Sequence, residues 1–197
     1  MIFGKDFNFI HIMKTGGTWA QRACEQVPGR ILWKEVHRPY DTLSPEDAAK
    51  PTYALIRNPW DWHVSMYHYM HVKAQKNPQM YAPHRKLYLQ KFEDVIRSED
   101  PAKYHMARHI ESMSTRPDGL ESSIRWSRFE EGVLLAFLRM LEETGGPLTE
   151  QELRHVSGVA RVNASEHKPY REYYTPELRE IVRETEAPII EKWGYVF

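Results

Sequence analysis

Short apolar runs and amphipathic stretches alternate along this chain, and their order predicts the fold. Phe7 to Met13 is apolar and β-branched and stops at Lys14-Thr15-Gly16-Gly17, as a buried strand entering a glycine turn would. Thr18 to Gln26 reads as the helix after that turn, and Ile31 to Val36 as a second strand. Ser44-Pro45-Glu46-Asp47 holds a cap, a first-turn proline and early acids, so a short helix opens there. Thr52 to Ile56 is a third strand, after which Asn58 caps and Pro59 starts a helix that runs to about Lys76. Strand, helix, strand, helix in this rhythm predicts an α/β fold with a central, mainly parallel sheet flanked by helices.

Beyond Lys76 the pattern changes. Residues 77–119 are polar and helix-prone, and Pro78, Pro83, Pro101 and Pro117 divide them into pieces. Ser122 to Phe129 reads as a further strand, and Val133 to Glu143 as an amphipathic helix ending before Gly145-Gly146-Pro147. Another helix begins near Thr149. A polar loop from Asn163 to Tyr170, a capped helix from Thr175-Pro176-Glu177 and an aromatic run to Phe197 complete the chain.

A length of 197 residues suits one domain. The 27 basic and 27 acidic side chains cancel, so no global field draws the protein to nucleic acid or an anionic membrane, and any anion site must be local. One cysteine, Cys24, excludes an internal disulfide framework and a multi-cysteine zinc cluster, and fits a reducing, cytoplasmic compartment. Neither a signal peptide nor a membrane span is expected, because no long apolar run occurs.

Two places can hold an anion. A strand, a glycine turn and a helix bring unpaired N–H groups and the positive end of a helix dipole to one point. There Gly16 and Gly17 permit close approach, Thr18 offers a hydroxyl and Lys14 a mobile charge. Lys14 leads the glycines, the reverse of the nucleotide-binding loop in which a Lys-Ser/Thr pair closes the turn. A plain strand-to-helix turn with a surface lysine is the alternative. The second place is Arg57, at the carboxyl end of a predicted strand, with Ser65 two helical turns further on. There the alternative is an ion pair of Arg57 with Asp61. No HExxH motif or paired carboxylates stand at metal-ligand spacing, and the histidines of 63–71 and 105–109 read as surface residues.

Three stretches together resemble the sulfotransferase family, in its bacterial, phage and Golgi carbohydrate branch. Phe9 to Trp19 resembles the 5'-phosphosulfate loop, with Met13 where proline is usual. Ala54 to Tyr67 resembles the 3'-phosphate motif, with Trp62 where arginine is common. Asn163 to Tyr170, Tyr173 to Leu178 and Gly194 to Phe197 resemble the C-terminal signature, and Ser122 to Glu130 is a weaker match.

The resemblance implies a P-loop-like, three-layer fold. It implies that Lys14, Thr15, Gly16, Gly17, Thr18 and Trp19 hold the 5'-phosphosulfate of 3'-phosphoadenosine 5'-phosphosulfate (PAPS). Arg57 and Ser65 would hold its 3'-phosphate, and Ser165, Lys168 and Tyr170 would also contact the nucleotide. Lys14 then neutralises charge on the bridging oxygen without a metal, and His37 takes the acceptor proton, with His167 and Glu166 in reserve; the alternative for His37 is a histidine that caps a strand end or pairs with Glu35 or Asp41. Adenosine 3',5'-bisphosphate (PAP) is the product, the acceptor is a small molecule, lipid or carbohydrate, and residues 77–119 form a helical acceptor-side insertion or lid. A non-catalytic PAP-binding module and an atypical P-loop small-molecule kinase are the alternatives.

Overall fold

β-Branched and aromatic residues form the strands, and capped amphipathic segments form the helices. The computed structural model describes residues 1–35, 38–115, 124–160 and 167–197. In chain order its elements are β1 (Ile2–Gly4), β2 (Asn8–Ile10), α1 (Gly17–Cys24), β3 (Ile31–Lys34), α2 (Pro45–Ala48), β4 (Thr52–Ile56) and α3 (Pro59–Lys76). There follow α4 (Ala82–Tyr88), α5 (Phe92–Arg97), α6 (Met106–Ser114), β5 (Ile124–Arg128), α7 (Val133–Gly145), α8 (Glu150–Ser157), α9 (Pro176–Thr185) and α10 (Ala187–Trp193). The single domain read from length is built of two compact units, Met1–Arg57 with Ile110–Ala164 and Asn58–His109 with Ser165–Phe197.

The first unit contains the sheet, ordered β3-β1-β2-β4-β5. β4 is buried along its length and lies parallel to β2 (Ile10 beside Ala54) and to β5 (Ile56 beside Arg128). A strand covered on both faces reads as a continuous apolar run, which is why Tyr53-Ala54-Leu55-Ile56 stood out. The other two pairings, β1 with β2 and β1 with β3, are antiparallel, so the sheet is mixed rather than mainly parallel. Three residues are too few for a periodic signal, and β1 therefore left no mark in the pattern. Gly4 N–H donates to the Phe7 carbonyl at 2.8 Å, and so short a turn can only return the chain antiparallel. Because β3 is also antiparallel to β1, the carboxyl ends of β2, β3, β4 and β5 lie along one edge.

Phe9, Tyr53 and Leu55, alternating on their strands, join Ile2 and Phe7 in one apolar cluster. α1 adds Ala20, Ala23 and Cys24, α7 adds Phe137, Met140 and Leu141, and α8 adds Val156. Burial pushes the Cys24 thiol up to about 12, so it packs as a small apolar group. Arg30, just before β3, holds the α7–α8 connection. Its guanidinium donates to both carboxylate oxygens of Glu152 (2.9 and 3.2 Å) and to the carbonyls of Leu141, Gly146 and Pro147. Glu152 also closes the capping box of α8 with Thr149.

In the second unit Asn58 accepts from Trp60 N–H at 3.1 Å and opens α3, as the Asn-Pro pair predicts. The described part of the stretch 77–119 holds α4, α5 and α6 joined by turns, and residues 116–119 lie outside the described residues. α4 and α5 bury Leu87, Tyr88, Phe92, Val95 and Ile96, and they pack with α3 and α9. Fully buried Glu186 accepts from Met106 N–H (2.9 Å), Ala107 N–H (2.7 Å) and the His63 ring (2.9 Å). Burial alone raises a carboxyl, yet the His63 contact and the two amides hold Glu186 below the usual carboxylate range.

Two outcomes follow. The Arg30 and Thr149 hydrogen bonds lower the Glu152 carboxyl from 4.5 to about 2. Its stabilisation is complete above its unfolded value and is lost as pH falls from about 4.5 towards 2. Acid titration followed by circular dichroism should show a shallower loss in Glu152→Gln over that window, and an unchanged acid limb would remove Glu152 from the account. Replacing Glu186 with alanine leaves two helix amides and His63 without their acceptor, and should cost about 3–5 kcal/mol in urea unfolding.

Candidate functional site

The loop between β2 and α1 is held in a conformation its sequence does not favour locally. Lys14 has φ of 62°, among the described residues the only non-glycine in the left-handed region, and Gly16 follows at 89°. A lysine there is strained by roughly 1–2 kcal/mol. Three contacts fix it. The Thr15 hydroxyl, buried, donates to the Ile12 carbonyl at 2.9 Å and closes the turn. Gly17 lies so near His11 that an added Cβ would sit 1.8 Å from the imidazole, so only glycine fits. Arg57, at the end of β4, donates from Nη1 to the Lys14 carbonyl at 2.9 Å.

That last bond joins the two anion sites read separately from the sequence. β2 and β4 are parallel neighbours, so Lys14 and Arg57 emerge at one sheet edge, where open α/β sheets bind ligands. β5 ends at the same edge and delivers Phe129. The Arg57 guanidinium lies 4.5 Å from the centroid of that ring, and a Cβ added at Gly16 would meet both Val133 and the Phe129 ring. Phe129 and Val133 were not singled out as site residues. Phe129 carried a faint signal as part of the weak 122–130 match; that it lies beside Arg57 depends on sheet register, which no local pattern encodes.

Behind the loop, α1 begins at Gly16 with no side-chain cap and no acid in its first turn. The N-terminal partial positive charge of α1 therefore faces the loop without a protein carboxylate on that turn. Thr18 is half-buried in the first turn. Trp19 turns elsewhere: its indole N–H donates to the Val159 carbonyl at 3.1 Å and its ring meets Phe137 edge-on, anchoring α1. Burial first, and the neighbouring Arg57 charge second, lower Lys14 from 10.5 to about 8. Such a site disfavours a further cation and favours an anion.

The remaining expected residues divide between the second unit and the undescribed segments. Ser65 is buried on α3. Lys168 is exposed, 3.8 Å from Glu172, and Tyr170 opens a 3-10 turn with its ring edge-on to Phe197. His167 donates from Nδ1 to the Lys168 carbonyl and stacks on His68 at 5.2 Å. His37, Ser165 and Glu166 lie outside the described residues. His71, read as a surface residue, and His84 each bond a backbone carbonyl, Tyr88 and Ala102 respectively. Among the described residues no group of three or more His, Cys, Asp or Glu side chains converges as a metal site, and no helix is long and apolar enough to cross a membrane.

No family model matches the chain, and searches of curated proteins and of solved structures returned no match.

The lowered lysine is directly observable. In a carbon-13 NMR titration of lysine ε-methylenes, one resonance should titrate near pH 8 and vanish in Lys14→Met. Arg57→Met removes the smaller cause and should move that midpoint upward, short of 10.5 because burial remains. Between about 8 and 10.5 the unfolded chain binds the extra proton, so this group makes stability rise with pH across that window.

Proposed function

We propose that the protein is a sulfotransferase that moves a sulfuryl group from PAPS to an acceptor hydroxyl or amine. One observation supports this reading above the rest: the Lys14 loop and Arg57, which the resemblance assigns to opposite ends of one nucleotide, are hydrogen-bonded to each other at one sheet edge. In this reading β2, the Lys14 loop and α1, with parallel β4 alongside, serve as a P-loop-like half-fold.

In this reading the 5'-phosphosulfate rests on Lys14, Gly16, Gly17, Thr18 and the first turn of α1, while Arg57 and Ser65 take the 3'-phosphate. Thr15 and Trp19 act indirectly, the one closing the loop and the other anchoring the helix. Ser165, Lys168 and Tyr170 complete the nucleotide contacts, and residues 77–119 lie on the acceptor side. The acceptor oxygen forms a bond to sulfur as the bond from sulfur to the bridging phosphate oxygen breaks. The electron pair stays on PAP, where Lys14 meets the growing charge, and the acceptor proton passes to His37. A phosphate-rich ligand also restores the Lys14 proton, so binding above pH 8 takes up protons.

PAPS consumption with release of PAP and no magnesium requirement tests the reading against its rivals. A non-catalytic module binds PAP and consumes nothing, and a kinase needs the metal. Lys14→Ala should lower the maximal rate far more than it lowers nucleotide affinity. Arg57→Ala should weaken PAP by roughly tenfold or more, the worth of a charged hydrogen bond, and adenosine 5'-phosphosulfate much less, since that ligand lacks the 3'-phosphate. Equal losses for both nucleotides in calorimetry would remove Arg57 from the 3'-phosphate. An unchanged rate and acid limb in the pH profile of His37→Ala would send the proton elsewhere.

A further inference from the structure

The second unit carries a cationic feature that the sulfotransferase reading leaves unused. Arg171, in the 3-10 turn Tyr170–Tyr173, and Arg179, on α9, both place their guanidinium groups over the ring of Phe197, with Cζ at 5.5 and 5.3 Å from its centroid. Arg171 also lies 5.0 Å from the Tyr170 ring. Both arginines are exposed. Of the acids nearby in the chain, Glu172 pairs with Lys168, Glu177 with Arg97 and Glu180 with Arg183, and Arg179 acts on Glu180 only as the weaker of two cations. Neither guanidinium makes a hydrogen bond or ion pair with a described residue, and an aromatic face holds such a group without consuming its N–H donors.

The platform is itself fixed. Trp60, Tyr170 and Tyr174 meet the Phe197 ring edge-on at 5.6, 5.6 and 5.5 Å. Trp60 Nε1 donates to the Arg179 carbonyl at 3.0 Å, and the Tyr174 hydroxyl donates to the Trp60 carbonyl at 2.9 Å. Two like charges gathered on one ring repel each other, and their planar forks match tetrahedral oxyanions. We infer that Arg171, Arg179 and Phe197 form a binding site for an ester-linked oxyanion, a sulfate or phosphate monoester. The inference does not depend on sulfuryl transfer.

The test is an NMR titration of arginine Nε–H and Phe197 resonances with inorganic sulfate, then with PAP and with glucose 6-sulfate. The Arg57 Nε–H resonance, followed in the same spectra, reports events at the loop separately from those at Phe197. Saturable shifts at Arg171, Arg179 and Phe197 are expected, weakened roughly tenfold by Arg171→Gln or Arg179→Gln and abolished by the double variant. Arg183→Gln should bind as the parent does, and an unchanged thermal midpoint in each variant shows that the unit is intact. The ester that saturates at lower concentration identifies the source of the oxyanion. Shifts that grow linearly without saturating, or that persist in the double variant, overturn the site. PAPS turnover by the wild type stands or falls separately.

Discussion

The hydrogen bond from Arg57 to the Lys14 carbonyl is the constraint on which the candidate site depends. Left-handed backbone at a lysine costs roughly 1–2 kcal/mol, while a hydrogen bond from a charged donor contributes about 1.5–3 kcal/mol. The two are of the same size, so the bond suffices to keep a conformation that the local sequence resists. It also crosses from the end of β4 to the loop after β2, so the loop's shape is conditional on the sheet having formed. Thr15 and the Gly17–His11 approach then set the turn, and Phe129 sets the guanidinium.

Charge is used in two different ways within this chain. Arg30 with Glu152, and Glu186 with His63 and two helix amides, are pairings in which the carboxylate is held below its ordinary value. Those groups hold segments together. At Lys14 the balance is reversed, because burial and a neighbouring cation both disfavour the charged form. A protein gains nothing in stability from such a lysine, and perturbation of this kind marks sites whose charge serves a ligand. The contrast gives Lys14 a functional reading that Arg30, though equally rich in contacts, does not have.

A loop carrying strain and a lowered lysine, at the edge where four strands end, is a setting for an anion whether or not sulfur is transferred. What the sulfotransferase reading adds is a reason for two anion-binding groups at a fixed separation along the chain. What it leaves aside is the Arg171–Arg179 pair, whose guanidinium groups lie over the Phe197 ring.

By itself the sequence determined the elements whose signals are local. Asn58-Pro59, Thr149 and Thr175-Pro176 mark helix starts through caps that operate within four residues, and a helix begins at each. The apolar run of β4 marked its full length, since burial on both faces demands continuous hydrophobicity. Lys14 and Arg57 were legible as anion-binding residue types at strand ends. Tertiary structure alone decided the antiparallel β1, too short for periodicity, and the joining of Lys14 to Arg57, 43 residues apart. It alone decided that Phe129 lies beside Arg57, that Trp19 serves the fold, and that Glu186 accepts from Met106 and Ala107. The physical reason is the same throughout: caps and periodicity are short-range properties of the chain, whereas register and long-range hydrogen bonds exist only once the strands and helices have packed.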